Sequence, residues 1–169
     1  MQKALSAFIL SLFVITVFAF TNAKLSNEPK KISIASSPVD DKKATLNRWC
    51  DNFNKLNDST KSRLTIENDD KANMYSVKEL YKGISEQCGA PIVFDYYHHK
   101  FCTGGLTEQE ALELAVSTWP KDITPCCHYS ESRRKEHLDE SIRAQAHSDL
   151  IEGTICRYGN EVDVVVEAK

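Results

Sequence analysis

Three features of the 169-residue chain predict an α/β fold, a partial barrel of about five parallel strands with helices between them. Short apolar runs begin near residues 32, 63, 91, 124 and 162, and helical patterns fill the intervals between them. That alternation is the mark of right-handed βαβ units. Several of the runs, such as IVF and VVV, are continuously apolar, as strands covered on both faces are. Acidic and imidazole side chains recur where the runs end, and in (β/α)8 barrels that end carries the chemistry.

The elements follow in order. Residues 1–23 open with Lys3 and run through an uncharged apolar stretch to TNA, the pattern of a secretory signal peptide. A membrane anchor is the competing reading of this leader, because Ala4 to Phe20 is just long enough to span. Residues 24–31 are polar and read as a linker, and the domain proper is 32–169. ISIAS at 32–36 is the first strand. From Asp40, DDKKATLNRWCDNFNKL places Leu46, Trp49, Cys50, Phe53 and Leu56 at helical spacing. RLTIE follows as a strand. The SVKE at Ser76 is a capping-box signature opening a helix that stops at Gly89-Ala90-Pro91. PIVFD is the third strand, and TEQE at Thr107 caps a helix to about Ser117. ITPCCHY is the fourth strand, SESRRKEHLDES an exposed loop with a short helix, and VDVVVEA the last strand.

Composition narrows the function classes modestly. With 41% hydrophobic and 27% charged residues the chain has the balance of a folded domain. Its net charge of −3 gives no overall basic signature for nucleic acid, which leaves a local basic groove as the alternative. Six cysteines match neither a disulfide scaffold nor a CxxC zinc site, so free and mostly buried thiols are expected.

The rim residues carry the chemistry. Glu67, Asp95 with His98, His128 and Glu167 each fall at or just past a strand end. Singly, each reads equally as a cap or a salt-bridge partner. Converging on one rim, they form an oxygen and nitrogen ligand set suited to Mn, Mg or Zn. Asp95 and His98 share one strand end and can reach one ion. Glu67 and Glu167 have two oxygens each to divide.

RLTIENDD, PIVFDYYHH, CCHYSES, AHSDLI and VVVEAK, in that order, together with GGLTEQEALELAVSTWP, resemble the UV damage endonuclease (UvdE) family over roughly residues 41–169. The resemblance implies a TIM barrel of the xylose isomerase-like and endonuclease IV-like kind. It also implies a metal-dependent, ATP-independent endonuclease that nicks damaged double-stranded DNA 5′ of photolesions. Carried over, the metal ligands are Glu67, Asp95, His98, His128, His147 and Glu167, with Glu67, Asp95, His128 and Glu167 central to catalysis. Divalent ions, above all Mn²⁺, are the implied cofactor, and no dinucleotide cofactor is expected. Asn68, His99, Arg133, Arg134 and Lys135 are the candidate DNA contacts. His137, in the charged loop, is expected to be solvated.

Departures from the family pattern accompany the likeness, including the absence from ISIASSPV of the histidine the family usually places at that strand end. The family's N-terminal half-barrel has no counterpart, and Cys126 stands where the family has a lysine. The expectation is therefore a truncated barrel, with little activity alone, that is completed by a missing half or by self-association. Two other classes compete: a sugar isomerase of the xylose isomerase type and a non-catalytic secreted remnant. The leader points to secretion or membrane anchoring, whereas the family points to the nucleus, the mitochondrion or a nucleoid.

Overall fold

The computed structural model describes residues 38–168, with side chains from 41 onward. The expected leader, linker and first strand at 32–36 lie outside the described residues. Within them, helices α1 (Pro38–Asn54) and α2 (Asp58–Lys61) precede strand β1 (Ile66–Glu67). A continuous helical run follows, made of α3 (Val77–Leu80), a π-helical turn (Tyr81–Ser85) and α4 (Glu86–Cys88). Then come β2 (Ile92–Asp95), α5 (Tyr96–His99), α6 (Glu108–Val116), β3 (Cys126–Tyr129), α7 (Arg133–His137) and β4 (Asp163–Val166). The four strands pair in sequence order, and every pairing is parallel. This is the α/β architecture expected, with four strands among the described residues.

Both capping boxes form. Ser76 and Glu79 exchange side-chain and backbone hydrogen bonds, as do Thr107 and Glu110. Each pair satisfies two amides that a helix start would leave without partners. The first helical run ends at Gly89, whose φ of 76° lies in the left-handed region that glycine enters without strain.

Register decides which face is which. Ile66 pairs with Ile92, and Phe94 with Cys127, and these side chains join the core beneath Val77, Leu80, Ile84, Leu112 and Ala115. One residue along each strand, the pleat turns the side chain to the opposite face. Glu67, Asp95 and His128 therefore share that second face, and Glu167 follows Val165 onto it by the same alternation.

The expectation that both faces are covered holds for β2, where all four residues are buried, and fails for β4. Val165 and Val166 are 42% and 49% exposed, and among the described residues β4 has a strand neighbour on one side only.

Candidate metal centre

Each rim side chain is delivered by a different strand end. Glu67 ends β1, Asp95 ends β2, His128 lies one residue from the end of β3, and Glu167 follows β4 directly. Asp95 also caps α5: its Oδ1 accepts from the amides of Tyr97 and His98 at 2.7 and 2.8 Å. One carboxylate oxygen thereby starts the helix that swings His98 back over the rim, and the other, Oδ2, is buried with no hydrogen-bond partner.

The distances make one cluster. His128 Nδ1 lies 3.1 Å from Glu67 Oε1 and 3.4 Å from Glu167 Oε1. His98 Nδ1 is 3.5 Å from Glu67 Oε1, and its Nε2 is 3.8 Å from Asp95 Oδ2. His147 Nδ1 is 3.3 Å from Glu167 Oε2, and its ring centroid is 5.7 Å from that of His98. Two triads, Glu67–Asp95–His98 and Asp95–His128–Glu167, each offer three ligand atoms within 4.8 Å of one another. All six expected ligands are brought together.

Tautomers follow from these partners. A carbonyl only accepts, so the 2.8 Å contact with Asn68 O makes His98 Nδ1 the protonated nitrogen and leaves Nε2 as the free lone pair. His128 Nδ1 is in turn held by Glu67, and its Nε2 is buried without a partner. An outer acceptor on one ring nitrogen with the other left open is how metal-binding histidines are oriented. Unsatisfied buried polar atoms are costly. The orphaned Asp95 Oδ2 and His128 Nε2, in a set of carboxylates and imidazoles, fit a divalent metal.

Burial and mutual charge perturb the cluster. Burial, reinforced by Glu67, pushes the Asp95 carboxyl up to about 6, although His98 and its amide bond pull it down. Burial pushes the His98 and His128 imidazoles down, but carboxylates outweigh it and both end above their ordinary value. Asp95 and Glu67 act on His98, and Glu67, Glu167 and Asp95 act on His128.

Several sequence-predicted contacts are redirected. Asn68 is 1% exposed, and its side chain bonds the Asp95 carbonyl at 3.1 Å and the Asp95 amide at 2.9 Å. It ties β1 to β2 where their ladder ends, instead of reaching a phosphate. His99 is 4% exposed, packs on Phe94 with ring centroids 5.4 Å apart, and burial pushes its imidazole below its ordinary value. Consecutive helical residues diverge by about 100°, so His98 takes the rim and His99 the core. Arg133 pairs with Asp149 at 2.8 Å, and Arg134 pairs with Glu140 at 2.9 Å. Lys135 is exposed.

His147 sits in an isolated antiparallel bridge with Ser132, and the loop around it is held by Glu136, which accepts from Ser148 Oγ and the Asp149 amide. His137 is half exposed beside Glu136, as expected of a solvated residue. Asn68 is open to a ligand-orienting role from its place beside Glu67, but neither its backbone carbonyl nor Glu136 is identifiable from sequence as the group that does the orienting. A backbone carbonyl leaves no trace in residue type, and an acid in a charged loop looks like any other.

Comparison with known proteins agrees. The model of the UV-endonuclease UvdE family matches residues 24–169. The chain is 32% identical over 136 residues to a UV-damage endonuclease of Schizosaccharomyces pombe, covering 77% of this chain and 22% of that one. It is 28% identical over 139 residues to a UV DNA damage endonuclease of Bacillus velezensis, covering 76% of this chain and 41% of the relative. The crystal structure of SacUVDE superposes with a TM-score of 0.61 at 33% identity, over 79% of this chain and 44% of that chain. The chain thus spans less than half the length of each of these relatives. The parallel sheet, the TIM-barrel architecture it shares with SacUVDE and the family match together place this chain in the UvdE family of UV-endonucleases.

Proposed function

We propose that this chain provides the metal-binding half of a UV-damage DNA endonuclease, which hydrolyses the phosphodiester backbone 5′ of a photolesion in double-stranded DNA. One observation carries the reading: six potential ligands from four strand ends, helix α5 and the loop carrying His147 face one another, with Asp95 Oδ2 and His128 Nε2 buried and unpartnered. Glu67, Asp95 and His98 would hold one cation, and Asp95, His128 and Glu167, with His147 beside Glu167, would offer a second set of ligands. Manganese is the ion proposed, with magnesium or zinc as alternatives of similar ligand preference.

A bound divalent cation supplies Lewis-acid polarisation of a phosphoryl oxygen and lowers the pKa of a bound water. The chain's own residues do the rest. Asn68 O and Glu67 hold the His98 and His128 rings with their Nε2 atoms open. The sheet's rigid register keeps Asp95 and His128 side by side. Lys135, exposed on α7 after β3, meets the DNA backbone, while Arg133 and Arg134 contribute once their acidic partners yield. The rest of a barrel would complete the rim.

The test is incubation of the purified chain with Mn²⁺ on a duplex carrying one photoproduct, alongside calorimetric Mn²⁺ titration. A nick immediately 5′ of the lesion that E67Q removes supports the whole reading. Tight Mn²⁺ binding without a nick, with incision appearing on addition of a complementary half-barrel, supports the half-site version. An absence of Mn²⁺ binding above millimolar affinity, with no incision, would overturn it.

A further inference from the structure

Far from the rim, on the outer helical layer, α1 meets the π-helical turn at an unusually close approach. Gly83 makes it possible: a Cβ built there would stand 2.4 Å from Leu46 Cδ1 and 3.2 Å from Leu46 Cβ. This crossing brings together two cysteines that are 38 positions apart in sequence, with Cys50 Sγ 3.0 Å from Cys88 Sγ. The thiol protons have other places to go. Cys50 donates to Gly83 O at 3.4 Å and Cys88 to Ile84 O at 3.3 Å, which leaves sulfur facing sulfur. The separation exceeds a disulfide bond of ~2.05 Å by roughly 1 Å. By contrast, Cys126 and Cys127 are consecutive on β3 and point to opposite faces of the sheet.

We propose that Cys50 and Cys88 form a reversible disulfide that staples α1 to the α3–α4 helical run. Cys88, the more exposed of the two, is the entry point. With glutathione disulfide as oxidant, the Cys88 thiolate attacks one glutathione sulfur, forms a mixed disulfide and expels one glutathione thiolate. Cys50 then loses its proton and attacks Cys88 Sγ, expelling the second glutathione. Two protein thiols are oxidised, and one glutathione disulfide is reduced to two glutathione thiols. Burial, with Cys88 beside it, pushes the Cys50 thiol up to about 12, which makes the second step slow. The disulfide product carries no charge, so the same burial favours its persistence.

The experiment uses the full chain, equilibrated with excess glutathione disulfide, then alkylated, weighed intact and digested. Two thiols are expected to resist alkylation, with a Cys50–Cys88 cross-linked peptide. Closing a loop of this length should raise Tm by about 10 °C, reversibly with dithiothreitol. C88S should abolish the shift and C156S should retain it. Alkylation of both Cys50 and Cys88 after equilibration, a cross-link between other cysteines, or a shift that persists in C88S would overturn the proposal. None of these readouts depends on metal or DNA, so the outcome is separate from that of the endonuclease reading.

Discussion

Asp95 concentrates the site's electrostatic tension, since it is fully buried, starts a helix with one oxygen and leaves the other unpartnered. A carboxyl raised to about 6 binds its proton more tightly folded than unfolded. Its stabilising contribution is therefore complete below about pH 4 and is lost as pH rises through about 6. D95N keeps an acceptor for the Tyr97 and His98 amides and removes the buried anion. The metal-free variant should be more stable than the parent at pH 8 by about 1–3 kcal/mol, with no gain at pH 4. Urea denaturation at both pH values checks this. The same variant should lose divalent-metal binding, the mark of a residue whose stability cost is tied to its role.

The two histidines make the complementary case. Both His98 and His128 are raised, so in the metal-free chain they stay protonated to higher pH than a free imidazole. A cation must displace those protons. Affinity for Mn²⁺ should fall steeply as pH drops through the raised values, with proton release on binding. Isothermal titration in buffers of different ionisation enthalpy reads both effects, and pH-independent binding would contradict the ligand assignment.

At the scale of elements, the helical run from Val77 to Cys88 is constrained at its start, middle and end. Its start is a reciprocal capping box, its middle opens into a π-helical turn, and its end is a left-handed glycine. A widened turn at Gly83, a residue with no side chain, is what admits α1 so closely. G83V would drive a branched side chain into Leu46 and a packed contact, at a cost of about 2 kcal/mol. Denaturation should show this as a lowered midpoint with an unchanged slope. Both capping boxes were legible as SVKE and TEQE because they use fixed three-residue offsets. The π turn was not, because YKGIS carries nothing that distinguishes it from an ordinary helix.

Across the whole molecule, the sheet works as a rigid bar that presents polar groups on one face and buries apolar groups on the other. Helices α3 and α6 fill the apolar side, around Phe94, Leu80 and Leu112, while α5 carries His98 at the rim. Four strand ends and the loop carrying His147 meet at the rim, so a cation bound there links elements from both halves of the described chain. Mn²⁺ at about a hundredfold its Kd should add about 2.7 kcal/mol of stability, a Tm rise of about 5–10 °C. EDTA should reverse the rise, and H128A should not show it, as differential scanning calorimetry would report.

How much of this was legible depends on whether the information is local. Strand–helix alternation, caps, the ligand candidates at strand ends and the family likeness reside in residue type and spacing, and the sequence alone determined them. Only tertiary structure decided that Asn68 ties two strands instead of meeting DNA, that His98 and His99 part ways, that Arg133 and Arg134 carry acidic partners, and that Cys50 faces Cys88. Each of those outcomes is set by which atoms long-range packing brings within about 4 Å, a quantity that one-dimensional order does not contain.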